Sequence, residues 1–383
     1  MARPLAVTLA CTFFATSLAA QSTWVVDAAG GPGAHFTTLQ SAVDFAVGGD
    51  TLLVRQGDYQ EFTAWGKGLT ILGDPGARVV DVTSGIVNVP ATERFVLRGL
   101  DFVCTGFCQG SSLNIGFNAG PIHLEDVAFA NRLEAGISVN TCAQLTMTNC
   151  RGNARGCLST QLSTVALTDC DFYGEIGVYL LGSPGGVRVL SGTVEIAGGS
   201  YRGGDGQGTG PFQVVAGPGI EVFGGSVSIT GNDTIVEAGN WAEGGQVALS
   251  AGFSTVVKLD PAVSLIPKNA SETSGTVTVT SVPALTGSAV PGEIDLRLQA
   301  PVGDAYVMYA SFPMTPFPQP TGLLWINPFT AVLFTSGTVD PTGERRITLP
   351  LLVSYDGTPL VFQGLTANAG GLSVTSAVTV VLP

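Results

Sequence analysis

Apolar and polar residues alternate in a five-residue phrase that recurs seven times between Leu69 and Gly231. Each copy has an apolar residue, any residue, an apolar residue, one more residue, and then Gly, Asp or Asn. The central apolar residues of the copies are Ile71, Leu97, Leu124, Met147, Leu167, Ile196 and Ile229, with spacings of 26, 27, 23, 20, 29 and 33 residues. A strand-and-turn phrase at a loosely held period of this size is typical of a solenoid, and it predicts a coil of parallel strands with about one turn per copy. A β-propeller would need longer copies, and a leucine-rich repeat would need a fixed Leu framework.

Aligning the copies gives each position a structural meaning. The turn column contains Gly73, Gly99, Asp126, Asn149, Asp169, Gly198 and Gly231, which are residue types that tolerate a left-handed backbone. The next column contains Leu100, Val127, Cys150 and Cys170, and we expect these side chains to point inward. The column two positions further predicts an aromatic ladder, because stacked strands lie ~4.8 Å apart. It contains Phe102, Phe129, Phe172 and Tyr201 and is interrupted by Gly152.

The two ends of the repeats differ from the repeats themselves. Residues 37–46 have the period of an amphipathic helix that stops at Gly48 and Gly49, and this helix is placed to cap the exposed apolar end of a solenoid. The repeats fade after Asp260. The segment 269–275 is interpreted as a linker or a loose final turn, and the linker is assigned to residues 271–280. From about Ser281, strict alternation between Pro/Gly turns predicts seven or eight strands and a β-sandwich over residues 281–383.

The first twenty residues have the pattern of a signal peptide, with Arg3 before an apolar stretch and small residues before Gln21. We therefore expect an exported, secreted or cell-surface protein. No later segment approaches ~20 uninterrupted apolar residues, so no transmembrane segment is expected after cleavage. The net charge of −13, from 29 acidic and 16 basic residues, makes nucleic acid an improbable partner.

Six cysteines fall within 67 residues, and an even number in an exported chain suggests disulfides. Cys150 and Cys170 occupy one column in consecutive copies, within disulfide reach, although two buried free thiols are nearly as good an interpretation. Cys104 with Cys108 could close a small loop, which leaves Cys142 with Cys157. Zinc binding is disfavoured because the spacings lack a paired C-x-x-C.

Residues near the N-terminus resemble a known superfamily. The opening of the chain resembles that of pectin-lyase-like proteins in four successive segments: Trp24 to Asp27, the predicted helix, Gly49 to Val54, and Gly57 to Glu61. The resemblance covers roughly residues 22–270. It implies a right-handed single-stranded parallel β-helix over 21–270 with an N-terminal capping helix. Together with the β-sandwich that the alternation predicts after residue 281, this makes the expected fold class all-β, with a small antiparallel sandwich after the β-helix. It does not fix the function, because the superfamily includes lyases, hydrolases, esterases, adhesins and proteins without known activity.

The resemblance also directs the search for catalytic residues to carboxylates and arginines on one face. Gly57, Tyr59 and Glu61 match the GxYxE motif of pectin methylesterases, but the QDTL-like segment is missing and Asp171 to Gly174 matches only the start of the DFIFG-like one. Neither His35 nor His123 lies in the Gly-His-Gly motif of polygalacturonases. The candidate catalytic residues that remain are Asp171, Glu175 and Arg155, for two-carboxylate hydrolysis or for a lyase.

A lyase would also need Ca²⁺, which takes six to eight oxygen ligands, and Asp126, Asp169 and Asp171 are the candidate ligands. Two of these aspartates stand in the turn column, where a turn explains them equally well. The leading hypothesis is a secreted β-helix protein that binds polysaccharide or a cell-surface glycan through its lateral face, without a complete catalytic motif. The alternatives are a divergent lyase or glycoside hydrolase acting on an acidic polysaccharide, and a purely structural surface component.

Overall fold

The structure is a computed structural model. It describes residues 21–80, 83–104, 110–131, 135–175, 185–206, 215–240, 246–267, 271–273, 275–290, 292–319, 322–350 and 357–382. The predicted signal peptide and Cys108 lie outside these ranges. Within them, no helix is long and apolar enough to cross a bilayer.

Parallel strands form the N-terminal part of the chain, and a single helix, α1 (Leu39–Phe45), lies between the first two of them. The first nine strands are β1 (Thr23–Val26), β2 (Thr51–Val54), β3 (Gly57–Tyr59), β4 (Thr63–Trp65), β5 (Thr70–Gly73), β6 (Ala77–Val80), β7 (Ser84–Val87), β8 (Phe95–Arg98) and β9 (Asp101–Val103). The next nine are β10 (Leu113–Asn118), β11 (Ile122–Glu125), β12 (Ala128–Asn131), β13 (Ile137–Cys142), β14 (Leu145–Thr148), β15 (Arg151–Ala154), β16 (Leu158–Gln161), β17 (Ser163–Gly174) and β18 (Val187–Val189). The last nine are β19 (Gly192–Arg202), β20 (Ile220–Val222), β21 (Gly225–Thr230), β22 (Ile235–Glu237), β23 (Leu249–Ala251), β24 (Thr255–Leu259), β25 (Ser264–Ile266), β26 (Ser271–Thr273) and β27 (Thr276–Val279).

These strands stack into the three faces of a parallel β-helix, in which each turn of the chain is one rung. The first face contains β1, β2, β5, β8, β11, β14, the first halves of β17 and β19, β21, β24 and β27. The second face contains β3, β6, β9, β12, β15, the second halves of β17 and β19, β22 and β25. The third face contains the nine strands β4, β7, β10, β13, β16, β18, β20, β23 and β26.

The column predictions are confirmed. Six of the seven turn residues have left-handed backbone, with φ between 51° at Asp169 and 94° at Gly231, and only Gly73 does not. The next column is buried, as are the aromatic residues, and the rings of Phe102 and Phe129 stack with their centroids 5.5 Å apart. At the interruption of this ladder, the sulfur of Cys157 lies 3.1 Å from where a Cβ at Gly152 would stand.

At the two ends of the β-helix, the N-terminal cap is as predicted and the C-terminal segment differs. The helix α1 buries Leu39, Ala42 and Val43 against the first rungs, and the Thr38 side chain accepts a hydrogen bond from the Ser41 amide at its N-terminus. At the other end, residues expected to form a linker contain β26 and β27, which pair with β23 and β24 as a last rung. The alternation of Thr276 to Val279 explains why this segment continues the sheet.

The C-terminal part is antiparallel, as predicted. Its strands are β28 (Ala284–Val290), β29 (Glu293–Gln299), β30 (Ala305–Ser311), β31 (Pro313–Gln319), β32 (Gly322–Ile326), β33 (Val332–Thr338), β34 (Glu344–Pro350), β35 (Pro359–Asn368) and β36 (Gly371–Val381). They form sheets in the orders β28-β29-β34, β33-β30-β35-β36 and β31-β32. The core between the sheets includes Leu296, Met308, Phe362 and Val378. The all-β fold class, a parallel β-helix followed by an antiparallel β domain, is therefore confirmed.

The C-terminal domain covers the first face of the helix through a row of side chains that bind the backbone of β36. The Thr148 hydroxyl donates to the carbonyl of Thr379 at 2.7 Å, and the Val381 amide donates to the Glu125 carboxylate at 2.6 Å. Arg98 donates to the Val381 carbonyl at 3.4 Å and lies 3.5 Å from Glu125. These residues stand at the fourth position of the repeated phrase, one of the two positions whose residue type the phrase leaves free.

A second contact lies further along the same face. Trp325 is fully buried, and its indole Nε1 donates to a carboxylate oxygen of Glu195 at 2.6 Å. Its ring packs in a cluster with Ala166 of the β-helix and Val361 and Ala377 of the C-terminal domain. The two domains are therefore joined by an apolar cluster as well as by hydrogen bonds.

A second column of left-handed residues follows the third face: Gly66, Asn88, Phe117, Thr141 and Leu162. For residues other than glycine this backbone costs roughly 1–2 kcal/mol. Leu162 has φ 49° and is 64% exposed, so its side chain contributes little packing in return. We expect Leu162→Gly to raise the free energy of unfolding by up to about 1 kcal/mol, because the relief of strain exceeds the added chain entropy.

Leu190→Gly is the matched control for this prediction. Leu190 is a partly exposed leucine, 36% accessible, and its φ is not in the left-handed region. Glycine there should destabilise the protein in urea unfolding. Equal losses of stability in the two variants would contradict the argument from strain.

Candidate functional site

The second face is the surface on which charged side chains are arranged rung by rung. Its first outward column contains Asp58, Arg78, Asp101, Ala128, Arg151, Asp171 and Ser200. Its second outward column contains Val80, Val103, Ala130, Asn153, Tyr173 and Arg202. The inward column between them is the aromatic ladder, which fixes the backbone of these strands from below.

A groove crosses this face where both columns contain alanine. It has a volume of about 270 Å³, with Ala128 and Ala130 among its lining residues. Asp101 and Val103 line one side, and Arg151, Asn153 and Tyr173 line the other. Because one alanine rung separates the two walls, they stand two strand spacings apart, ~10 Å.

The groove has charges of both signs. Burial raises the pKa of Asp101, and the positive charges of Arg151 and Arg78 act in the opposite direction. On the other wall, the Asp171 carboxylate accepts a hydrogen bond from the Ser200 amide at 3.0 Å. Arg78 at the end of the groove pairs with Asp58 at 2.7 Å. Tyr173 is 39% exposed and offers part of its ring to a ligand in the groove.

The predicted catalytic residues separate into two places. Asp171, in the second half of β17, pairs with Arg151 at the start of β15 and lines the groove. Arg155 and Glu175 follow the other ends of these strands, where the Glu175 amide bonds to the Ala154 carbonyl. Four extended residues place the backbones of Asp171 and Glu175 ~13 Å apart. The structure therefore puts Glu175 beside Arg155 and leaves Asp171 away from both.

The predicted Ca²⁺ ligands are also not gathered into one site. Asp126 and Asp169 occupy turns two rungs apart with Asn149 between them, so their backbones are separated by ~10 Å. The Asp126 carboxylate accepts a hydrogen bond from Asn149 and lies 3.5 Å from Arg98. In the part of the chain that the structure describes, no three His, Cys, Asp or Glu side chains are grouped to hold a metal ion.

The half-buried Asp169 instead faces the C-terminal domain. Burial raises its pKa to about 7, with repulsion from Asp233 adding to the effect and the charge of Arg297 opposing it. Arg297 of β29 pairs with Asp233 at 2.9 Å. Asp169 is therefore part of the turn and of the domain contact.

Four of the six cysteines proposed for disulfides, Cys142, Cys150, Cys157 and Cys170, are buried free thiols in the structure. Cys150 and Cys170 are neighbours, as their column predicts. Each thiol donates to a backbone carbonyl, Cys150 to that of Thr148 at 3.5 Å and Cys170 to that of Thr168 at 3.4 Å. The pairing of Cys142 with Cys157 is wrong, because β13 and β16 pair Ile137 with Leu158 and place the two cysteines six residues apart along the face, ~20 Å. Since Cys108 lies outside the described residues, its pairing with Cys104 stays a prediction.

Comparisons with known proteins add little to this picture. No protein-family model and no curated protein matches the chain. Among solved structures, the chain is similar to the enzymatically active domain of tailspike protein 2 of bacteriophage CBA120, with 12% sequence identity and a TM-score of 0.31. This match covers 88% of this chain and 73% of that one. A similarity at this level carries no argument about function.

Sequence reasoning identified the strands of the groove but not the groove itself. The signal was present in the segment Ala128-Phe129-Ala130, where two small residues flank a ladder aromatic. The two neighbouring copies have Asp101 with Val103 and Arg151 with Asn153 at the same positions. A depression is therefore expected wherever both outward columns contain alanine at once.

Proposed function

We propose that this protein is an exported β-helix protein that binds a polysaccharide in the groove over Ala128 and Ala130, without catalysing its cleavage. The observation that carries the proposal is an open groove with hydrogen-bonding groups on both walls and an exposed tyrosine at one of them. The outward column runs on from Asp58 to Ser200, over six strand spacings or ~29 Å, and this length suits a repeating polymer. Membership of the pectin-lyase-like superfamily is part of the proposal, supported by the order of cap, first strand and rungs.

The charges favour an uncharged glycan over a polyuronate. The column contains three carboxylates (Asp58, Asp101 and Asp171) and two arginines (Arg78 and Arg151), so its formal charge is −1 (two positive minus three negative). The whole chain has a net charge of −13. A polymer with a negative charge on each sugar would meet repulsion along most of this face.

The spacing of the carboxylates favours binding over hydrolysis. Asp101 and Asp171 lie three rungs apart, ~14 Å, and glycosidases that use two carboxylates hold them ~5–9.5 Å apart. Asp171 and Glu175 are separated by a similar distance along one strand. The described carboxylates of this face are therefore placed to position a sugar chain.

Ala128→Trp is expected to fill the groove and weaken glycan binding at least tenfold, or ~1.4 kcal/mol, while the fold is kept. A glycan array would first select a ligand, and titration calorimetry would then compare neutral and acidic polysaccharides. Ser138→Trp is the matched control, because Ser138 points outward from the third face at a similar level.

Release of reducing ends or of unsaturated uronates by the parent protein would replace the binding proposal with an enzymatic one. Equal affinity of the Ala128→Trp and Ser138→Trp variants would show that the ligand binds elsewhere. Tighter binding of pectate or alginate than of neutral glycans would contradict the argument from charge.

A further inference from the structure

A second cavity lies between the first face of the β-helix and the C-terminal domain, away from the groove. Its volume is about 460 Å³, which is within the range of small-molecule sites. Strands β19, β21 and β24 form one wall, and β36 with Leu323 and Gln319 forms the other. The domain covers this face incompletely here, between the contact at Trp325 and the last rungs.

The wall contributed by the β-helix has four hydroxyl groups among apolar side chains such as Val194, Ile196 and Val256. Thr193, Ser226, Ser228 and Thr230 all line the cavity, and the Ser226 hydroxyl donates to that of Thr193 at 3.3 Å. On the opposite wall, Ser376 bonds to the backbone of Leu285 and therefore holds the cavity's shape. The lining thus offers several donors and acceptors for a hydroxylated ligand.

Glu195 is one of two charged residues in the lining, and its carboxyl group is only half engaged. One oxygen accepts from Trp325 at 2.6 Å, and the other has no hydrogen bond to a described residue. Burial raises the pKa of Glu195 to about 8, against the effects of the Trp325 bond and of the Lys258 charge. Near neutral pH this group therefore holds a proton and can donate it in a hydrogen bond.

Lys258 is the other charged residue in the lining. Its strand position places it beside Ser228, two rungs from Glu195. It is exposed, and none of the ion pairs among described residues includes it. With Glu195 protonated, the cavity carries one uncompensated positive charge beside a row of hydroxyls.

We propose that this cavity binds a small hydroxylated monocarboxylate of the sugar-acid class, with its carboxylate at Lys258 and its hydroxyls at Ser226, Ser228 and Glu195. The ligand's carboxylate would pair with the ammonium group of Lys258. Its hydroxyls would form hydrogen bonds with the hydroxyl groups of the lining. This site is independent of the polysaccharide groove, which lies on another face. Ligand binding here also contacts both domains at once.

Titration of the full chain with glucuronate, followed by calorimetry and by tryptophan fluorescence, tests the proposal. We expect saturable binding of glucuronate in the millimolar range or tighter, and at least tenfold weaker binding of glucose, which has the hydroxyls without the charge. Lys258→Met should weaken glucuronate binding at least tenfold. Arg55→Met is the matched control. Arg55 is an exposed cation between β2 and β3, far from the cavity, and it pairs with Asp74.

Three further variants keep the test decisive. Ser228→Phe fills the cavity and should abolish binding even if Lys258→Met folds poorly, whereas Glu195→Gln retains a donor and an acceptor and should preserve it. Trp325→Phe should remove the fluorescence response while leaving the calorimetric one. Absence of saturable binding, or unchanged binding in the Lys258→Met and Ser228→Phe variants, would overturn the proposal.

Discussion

Replacing Trp325 with alanine is expected to lower the free energy of unfolding by about 3–5 kcal/mol, the largest effect we predict for a single residue. Trp325 is 0% exposed and fills the cluster between Ala166, Val361 and Ala377. Its removal leaves a cavity between the domains and removes the hydrogen bond to Glu195. Urea unfolding monitored by circular dichroism measures the loss.

Trp65→Ala is the matched control for this substitution. Trp65 stands on the third face with 64% of its surface exposed, so its truncation should cost less than about 1 kcal/mol. If the two variants lost similar stability, the contact at Trp325 would not be what joins the domains. A separate early transition in Trp325→Ala, with the parallel strands still folded, would show that the C-terminal domain is released first.

Stability is expected to fall as the pH rises from about 5 to about 8, by an amount on the order of 2–4 kcal/mol. Burial raises the pKa of Glu195 to about 8 and that of Asp169 to about 7, from ordinary values of 4.5 and 3.8. The folded state therefore binds more protons than the unfolded state in this interval, and it becomes less favourable as these protons are lost. The contribution is fully lost above the folded-state pKa values.

The variant Glu195→Gln with Asp169→Asn should flatten this dependence, measured as the midpoint of urea unfolding at several pH values. Asparagine is suited to the turn, because Asn149 stands in the same column with φ 53°. Glu61→Gln is the control, since Glu61 is exposed and its change should leave the slope intact. A slope that persists in the double variant would assign the pH dependence to other groups.

The sequence predicted what repeats locally and missed what depends on distant contacts. The turn column, the inward column and the aromatic ladder follow from positions that recur in every copy, so their burial could be predicted residue by residue. Glu125 and Thr148 occupied positions that seemed free, and they are buried because β36 lies over them. No local pattern reports a contact between residues more than two hundred positions apart.

The candidate sites were predictable to different degrees for the same reason. Asp171 and Arg151 follow from strand register, and the sequence correctly gave the strands that hold them. Asp171 does not group with Glu175 and Arg155, because four residues of extended strand place the backbones of Asp171 and Glu175 ~13 Å apart. The cavity at Glu195 and Lys258 depends on how a second domain rests on the first, which no pattern within one copy could indicate.

The docking of β36 has a consequence for the order in which the chain folds. Its hydrogen bonds to Thr168, Thr148, Glu125 and Arg98 join residues separated by 209, 231, 256 and 283 positions. Rungs can form as soon as neighbouring segments leave the ribosome, whereas these bonds wait until β36 has been made. Before β36 docks, the chain therefore has complete rungs with an uncovered, partly charged face, and we expect that intermediate to be the form most open to proteases and to self-association.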